Sequence, residues 1–208
     1  MRRTKLEAET TRETILAVAE RLFLESGVTE VSLEQIAVAA GFTRGAVHWH
    51  FQNKQGLLLA LLDRMGLPLE QLAGQLEIDD TLDPMDELVR DMTGRLCELE
   101  MDPKRKRLST YLVNFAAVEA PERQRNFDRK FRSSVTIIFR LAENRGRLAP
   151  HWRPEIAALA FCGMVMGLIN QWLNGETEFD MRNDVTAAVR AFSSSLRAQP
   201  DDPKRPGA

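Results

Sequence analysis

Apolar residues recur every three to four positions along most of the chain, which is the spacing of an α-helix with one buried face. No segment alternates apolar and polar residues long enough to predict a strand. The pattern predicts four helices in the first third of the chain, over 11–25, over 33–40, over 44–50 and from residue 54 onwards. Gly66-Leu67-Pro68 then predicts a kink or break, because proline cannot donate the backbone hydrogen bond of a helix interior.

The rest of the chain repeats one signal, a proline at the first position of a helix. Together with the apolar spacing, this signal predicts five further helices, over 84–100, 103–118, 121–145, 154–173 and 181–198. We therefore expect an all-α protein of about nine helices. One domain is expected over 1–66 and a second over 67–199, followed by a disordered tail over 200–208.

The segment from residue 33 to 58 predicts a helix-turn-helix unit, two short helices joined by a tight turn. Ser32 and Gln35 have the spacing of a capping box before the first helix, and Gly41 permits the left-handed backbone of the turn. The apolar residues expected to pack against the first helix of the chain are Ile36, Phe42 and Val47. The residues left outward at the second helix are Thr43, Arg44, Gly45 and His48. A short polar face of this kind fits the major groove of DNA.

Composition adds little support for a nucleic-acid partner. The 208 residues are 44% hydrophobic and 28% charged, as in ordinary globular proteins, and the formal net charge is −2. Residues 1–66 hold equal numbers of basic and acidic side chains, so a DNA-binding role depends on where the charges lie. Cys97 and Cys162 lie in apolar helical patterns and are expected to be reduced thiols. The apolar run over 156–169 is shorter than a membrane span, so we expect a soluble cytoplasmic protein.

The sequence FTRGAVHWHFQNK, from Phe42 to Lys54, resembles a long family signature. The signature is TRGA-aliphatic-YWHF-x-[ND]K, that of the AcrR-type branch of the TetR family of bacterial repressors. Arg2-Arg3-Thr4-Lys5 resembles the basic arm of that branch, and residues 167–173 resemble its later pattern G-L-[IM]-x-x-W-L. His48 departs from the signature, which usually has Tyr at this position. The resemblance implies a helix-turn-helix DNA-binding domain followed by a ligand-binding and dimerisation domain.

The resemblance also implies a set of DNA-binding residues: Arg2, Arg3, Lys5, Ser32, Thr43, Arg44, Gly45, His48 and Lys54. Arg44 would read base edges in the major groove, and Lys54 with the start of its helix would hold a phosphate. Thr43 would cap its helix and contact phosphate. Gly45 would let the backbone approach the DNA, and His48 would contact a phosphate in place of Tyr.

A small hydrophobic inducer and a homodimer are further implications of the resemblance. The residues expected to line the ligand cavity are Met92, Leu96, Val113, Phe131, Val135, Phe161, Cys162 and Val165. The helix over 154–173 is too apolar for the surface of a monomer, and the resemblance pairs it and the helix over 181–198 with their copies. The expected function is a repressor of a multidrug efflux operon, bound to palindromic double-stranded DNA and released by the inducer.

Other interpretations of the same residues stay open. The protein could be a metabolic regulator of the same family with one specific effector, or a helical protein that sequesters a ligand. The basic residues within 104–107 and 123–132 could form a second nucleic-acid surface or a solvated helix face. His48 and His50 cannot share a metal ion, because residues two apart point to nearly opposite sides of a helix, and His50 is expected to be a packing residue. We find no residue pattern typical of an enzyme, and we expect no cofactor or metal.

Overall fold

The computed structural model describes residues 5–65, 69–175 and 180–199. Across these three ranges it has ten α-helices and one π-helical turn. They are α1 (Lys5–Ser26), α2 (Leu33–Ala39), α3 (Arg44–Phe51), α4 (Lys54–Met65), α5 (Leu69–Ile78), α6 (Pro84–Met101), α7 (Pro103–Glu119), α8 (Pro121–Asn144), α9 (Pro154–Asn174), the π-helical turn Met181–Val185 and α10 (Thr186–Ser195). The same residues form no sheet, and their β pairing is limited to one isolated bridge between Leu148 and Arg197. The all-α prediction is confirmed.

The chain folds into two compact units. The first unit contains residues 5–65 together with Pro103–Arg123, and the second contains residues 69–102 and the described residues after Arg123. The expected boundary near residue 66 therefore separates α4 from α5. It does not account for α7, which belongs to the first unit. Apolar spacing could not predict this assignment, because it shows that one face of a helix is buried but not which neighbour covers that face.

One hydrophobic core joins the helices of the first unit. Its buried residues from α1 to α4 include Ile15, Leu16, Ala19, Phe23, Ile36, Ala37, Val47, Phe51, Leu57 and Leu61. Leu108 and Leu112 of α7 lie in the same core, and Phe115 packs against it. Full burial of a leucine side chain contributes roughly 1.5–3 kcal/mol. Helix α7 is therefore part of the framework that supports the helix-turn-helix unit.

Arg145, just after α8, closes the loop between α5 and α6 in the second unit. Its guanidinium donates to the carbonyl oxygen of Leu82 at 2.8 Å and to that of Leu76, and it forms an ion pair with Asp80 at 2.8 Å. The side chain of Arg145 is mostly buried. Charge-assisted hydrogen bonds to helix-end carbonyl groups satisfy acceptors that the helix itself leaves unpaired.

Asp83 caps α6 and also binds the C-terminal segment of the second unit. Its carboxylate accepts hydrogen bonds from the N–H groups of Met85 at 2.9 Å and Asp86 at 3.1 Å. It forms ion pairs with Arg197 at 3.1 Å and Arg147 at 3.5 Å. Burial alone would raise the pKa of Asp83, but hydrogen bonds from Arg197 and from the two N–H groups outweigh burial and lower that pKa.

The predicted helices differ from the structure in three places. Helix α1 begins at Lys5 and not at residue 11, because its first residues are mostly exposed and leave no apolar pattern. Helix α5 was not predicted. The helix predicted over 181–198 is a π-helical turn followed by α10, which ends at Ser195 because Arg197 pairs with Leu148.

Helix α9 is 21 residues long and, by length and composition alone, apolar enough to cross a membrane. The apolar run over 156–169 is too short to span a membrane, but the helix continues beyond it through neutral polar residues and so reaches the necessary length. Phe161 and Val165 are fully buried in the second unit, and core helices of globular proteins have the same composition. Cys162, also in α9, is a free thiol, and burial raises its pKa to about 12.

Candidate nucleic-acid interface

The turn between α2 and α3 has the geometry that the sequence predicts. Gly41 has a φ of +74°, a left-handed backbone that glycine adopts without steric cost. The N–H of Phe42 donates to the carbonyl oxygen of Ala37 at 2.9 Å, which closes the turn. Ile36 and Val47 are fully buried, and Phe42 packs partly buried against the same core. The two helices are therefore held at a fixed crossing by backbone bonds and core packing together.

Side-chain caps fix the starts of both helices. The hydroxyl of Ser32 accepts from the N–H of Gln35 at 3.2 Å, and the Gln35 side chain accepts from the N–H of Ser32 at 2.7 Å, which confirms the predicted capping box. The hydroxyl of Thr43 accepts from the N–H of Ala46 at 3.2 Å. Because each hydroxyl serves as an acceptor in its cap, its hydrogen can still be donated to a phosphate oxygen.

The exposed side of α3 carries polar residues and one tryptophan. Arg44, Gly45 and His48 are exposed, as the sequence predicts, and the side chain of Arg44 is 75% exposed. Trp49 is 71% exposed, and our sequence reasoning gave it no role. Its orientation could have been inferred, because Val47 and Phe51 form the buried stripe of α3 and Trp49 lies between them in sequence.

A strained junction holds the start of α4 against the end of α3. Gln52 has a φ of +65°, and the N–H of Asn53 donates to the carbonyl oxygen of Phe51 at 2.7 Å, forming a γ-turn. The Asn53 side chain accepts from the N–H of Gly56 at 2.8 Å and caps α4. A Cβ atom at Gly56 would lie 2.1 Å from the carbonyl oxygen of Phe51. The sequence predicts the Asn53 cap, whereas the γ-turn and the close approach at Gly56 depend on the backbone angles and leave no pattern in the sequence.

Lys54 is the first residue of α4, beside this junction. It is half-buried, and its ammonium group lies 5.9 Å from the ring centroid of Phe23, a cation–π distance. Lys5 is exposed at the start of α1, whereas Arg2 and Arg3 lie outside the described residues. The N-terminal N–H groups of α4 and the charge of Lys54 together suit a phosphate.

The sequence of this region matches a known family of DNA-binding proteins. Residues 15–61 match the family of bacterial regulatory proteins, tetR family. The chain is 36% identical to the HTH-type transcriptional repressor BepR of Brucella suis biovar 1, in an alignment that covers 98% of this chain and 100% of BepR. The chain belongs to the TetR family. The resemblance seen in the signature from residue 42 to 54 is therefore confirmed.

Solved structures of TetR-family proteins have the same fold. NalD, the secondary repressor of the MexAB-OprM multidrug efflux pump in Pseudomonas aeruginosa, has 36% sequence identity and a TM-score of 0.66, covering 94% of this chain and 99% of NalD. SmeT in complex with triclosan has 30% identity and a TM-score of 0.73, covering 96% of each chain. SmeT is the repressor of the Stenotrophomonas maltophilia multidrug efflux pump SmeDEF. As a TetR-family member, the protein is a DNA-binding transcriptional regulator and not an enzyme.

The residues expected to line the ligand cavity of this TetR-family chain fall into two groups. Seven are buried in the second unit: Met92, Leu96, Phe131, Val135, Phe161, Cys162 and Val165. The edge-to-face contact of Phe161 with Phe139, at 5.9 Å between ring centroids, shows that aromatic side chains contribute to this interior. Val113 is half-buried in α7, which belongs to the first unit, so it is not grouped with the other seven.

The histidines of α3 have different environments. His48 is exposed, whereas His50 is half-buried and contacts Trp49 edge-to-face at 4.5 Å between ring centroids. This placement agrees with the packing role expected for His50. No group of three or more His, Cys, Asp and Glu residues that could hold a metal is present within the described ranges.

Proposed function

We propose that this TetR-family regulator is a cytoplasmic homodimer that represses a multidrug efflux operon and leaves its palindromic operator when a small hydrophobic inducer binds. The observation that carries the proposal is the outward side of α3, where Arg44, Gly45 and His48 are exposed at one end of a rigid, doubly capped helix-turn-helix unit. A helix so presented is the element that enters the major groove in proteins of this architecture.

The DNA contacts divide into those that read bases and those that position the protein. Arg44 reads a guanine through two parallel hydrogen bonds to N7 and O6, while the small Gly45 lets the helix approach the bases. Thr43 and His48 donate to phosphate oxygens, and Lys54 holds a phosphate at the start of α4. Ser32 and the arm residues Arg2, Arg3 and Lys5 add further backbone contacts.

The exposed side of α9 supports a dimer. Ile156 and Leu159 are 46% and 51% exposed, and Gly163 follows them on the same side of the helix. Large apolar side chains in one patch favour association, and two-fold symmetry covers the same patch on both subunits. With α10 beside α9, two copies form a four-helix interface. The dimer then presents two recognition helices to two half-sites of one operator.

The buried apolar interior of the second unit supports a hydrophobic inducer. Methionine and phenylalanine side chains such as Met92 and Phe131 can repack around ligands of different shape. Induction is a population shift, in which the ligand favours an arrangement of the dimer whose recognition helices no longer match the operator spacing. We infer that the predicted kink at Gly66 and Pro68, which lie outside the described residues, transmits this change between ligand and DNA. Replacing both with Ala should therefore alter induction by ligand, and unchanged induction would remove the kink from the mechanism.

The proposal is tested by fluorescence anisotropy with the DNA upstream of the protein's own gene, at about 150 mM salt, because non-specific binding is weak at that ionic strength. Specific binding by a dimer, reversed by triclosan but not by polar metabolites, is the expected result. Release by a single metabolite alone would identify the metabolic regulator. Triclosan binding without any specific DNA binding would identify the ligand-sequestering protein.

A further inference from the structure

The first half of α8 carries a cluster of positive charge in the second unit. The cluster consists of the exposed residues Arg125, Arg129, Lys130 and Arg132. Within the residues that the structure describes, none of the four forms an ion pair, although the whole chain has a formal net charge of −2. Like charges three or four positions apart on a helix repel each other, so the cluster destabilises α8. A bound anion would relieve this repulsion.

Arg132 lies at the edge of the apolar interior of the second unit. Two turns later on the same side of α8, the ring of Phe139 contacts the ring of Phe161 in α9, at 5.9 Å between centroids. Cys162, the next residue of α9, is buried. Burial raises the pKa of its thiol, and the positive charge of Arg132 acts against this rise because the guanidinium is close by. Arg132 is therefore near the residues that are proposed to surround the inducer.

Apolar side chains adjoin Arg132 on α8. Phe131 is buried and stacks on the half-buried ring of Phe127, with the two centroids 6.4 Å apart. Val135, one turn after Arg132, is fully buried. A ligand whose apolar part packs against Phe131 and Val135 has its outer end beside Arg132. Because Arg132 is exposed, a charged group at that end keeps part of its hydration and avoids most of the cost of burying a charge.

We propose that the inducer site favours hydrophobic compounds with an anionic head group, which Arg132 binds. The apolar part of the ligand lies in the interior, and the head group accepts charge-assisted hydrogen bonds from the guanidinium. Asp128 also lies near Cys162 and repels an anion, but it is the one acidic residue among the four cations of positions 125–132. This inference rests on the proposed function and names the class of its inducer.

The test uses decanoate and decanol, which have the same apolar chain but differ in the charge of the head group at neutral pH. Tryptophan fluorescence titrations of the full-length protein measure the affinity for each compound. Arg132→Gln should lower the ratio of the decanoate affinity to the decanol affinity about three- to tenfold, and Asp128→Asn should raise it. The matched control Lys130→Gln removes one positive charge from nearly the opposite side of α8 and should change the ratio by less than about twofold.

The affinity for decanol itself should stay the same in Arg132→Gln, because the alcohol is uncharged and the interior is unchanged. An unchanged ratio in Arg132→Gln, an equal fall of the ratio in Lys130→Gln, or no decanoate binding by the wild-type protein would overturn this inference. The proposed function would still hold in each of these cases if triclosan releases the wild-type protein from its operator. Failure of triclosan and decanoate alike to release it would overturn the proposed hydrophobic inducer and this inference together.

Discussion

At the scale of single residues, two neighbouring side chains at the start of α3 have different roles, one as the cap of the helix and the other in the proposed reading of bases. The hydroxyl of Thr43 satisfies the N–H of Ala46, while the next side chain, Arg44, extends into solvent. Ser32 has the equivalent position before α2. The capped helix start keeps the backbone of the interface ordered before DNA arrives, so binding loses less conformational entropy.

In the proposed complex, His48 donates to a phosphate oxygen at the position where the family signature usually has Tyr. Both side chains can donate a hydrogen bond, so we expect His48→Tyr to keep this contact. His48→Ala loses the donor and should weaken binding to every operator variant alike, by about 0.5–1.5 kcal/mol. Anisotropy titrations of the three proteins at fixed pH and ionic strength measure the difference. Unchanged affinity of His48→Ala would show that His48 does not contact phosphate.

Local spacing predicted the caps and the outward face of α3, but not the residues that join separate helices. A capping box needs only residues three apart, and the faces of a helix follow from its period. The ion pair of Glu34 with Arg44 joins residues ten positions apart, and the γ-turn at Gln52 is set by the packing of α3 against α4. Such features depend on the assembled backbone and leave no pattern in the sequence.

At the scale of elements, the cap of α6 shows how one carboxylate stabilises several segments. Asp83 accepts from two backbone N–H groups and binds Arg197, whose backbone also pairs with Leu148. The start of α6 and the residues after α10 are thereby tied together. Loss of Asp83 should affect both segments.

We expect Asp83→Ala to lower the free energy of unfolding by about 1–3 kcal/mol at neutral pH, because it removes both the cap and the ion pairs. Asp83→Asn keeps a side-chain oxygen that can cap the helix, so its free energy of unfolding should fall by less than that of Asp83→Ala. The folded-state pKa of Asp83 is lowered, so its charge stabilises the protein above the unfolded-state pKa. That stabilisation is lost as the pH falls through the folded-state pKa. Urea unfolding at several pH values measures the difference in the free energy of unfolding between wild type and Asp83→Asn. This difference should become smaller in acid, and a difference that stays constant with pH would contradict the role of the Asp83 charge.

The limits of helix prediction are clearest in α1 and α7. Residues 5–10 of α1 are mostly exposed, and an exposed turn of helix has no apolar period to detect. The extent of α7 was predicted closely, but its place in the core of the first unit was not. Leu108 and Leu112 would look the same in sequence whichever core they occupied.

At the scale of the whole molecule, the proposed repressor binds one operator with two copies of the chain. Leu159→Arg places a charge in the exposed apolar patch of α9 and should convert the dimer to a monomer, with operator affinity lowered at least about 100-fold because only one half-site can be bound. Ile78→Arg is the matched control, because Ile78 is 89% exposed in α5 and lies outside that patch. Sedimentation velocity measures the oligomeric state of both variants. A dimeric Leu159→Arg protein or a monomeric Ile78→Arg protein would show that the interface lies elsewhere.

The central claim is that the exposed side of α3 reads DNA bases through Arg44. The most direct measurement is the affinity of wild-type, Arg44→Ala and Lys54→Ala proteins for operators in which each base pair is changed in turn. Arg44→Ala should lose about 1–3 kcal/mol on the intact operator and become indifferent to the base pair at one position in each half-site. Lys54→Ala should weaken binding to all variants alike and reduce the salt dependence. If Arg44→Ala retains the full base preference of the wild-type protein, α3 does not read the operator through Arg44.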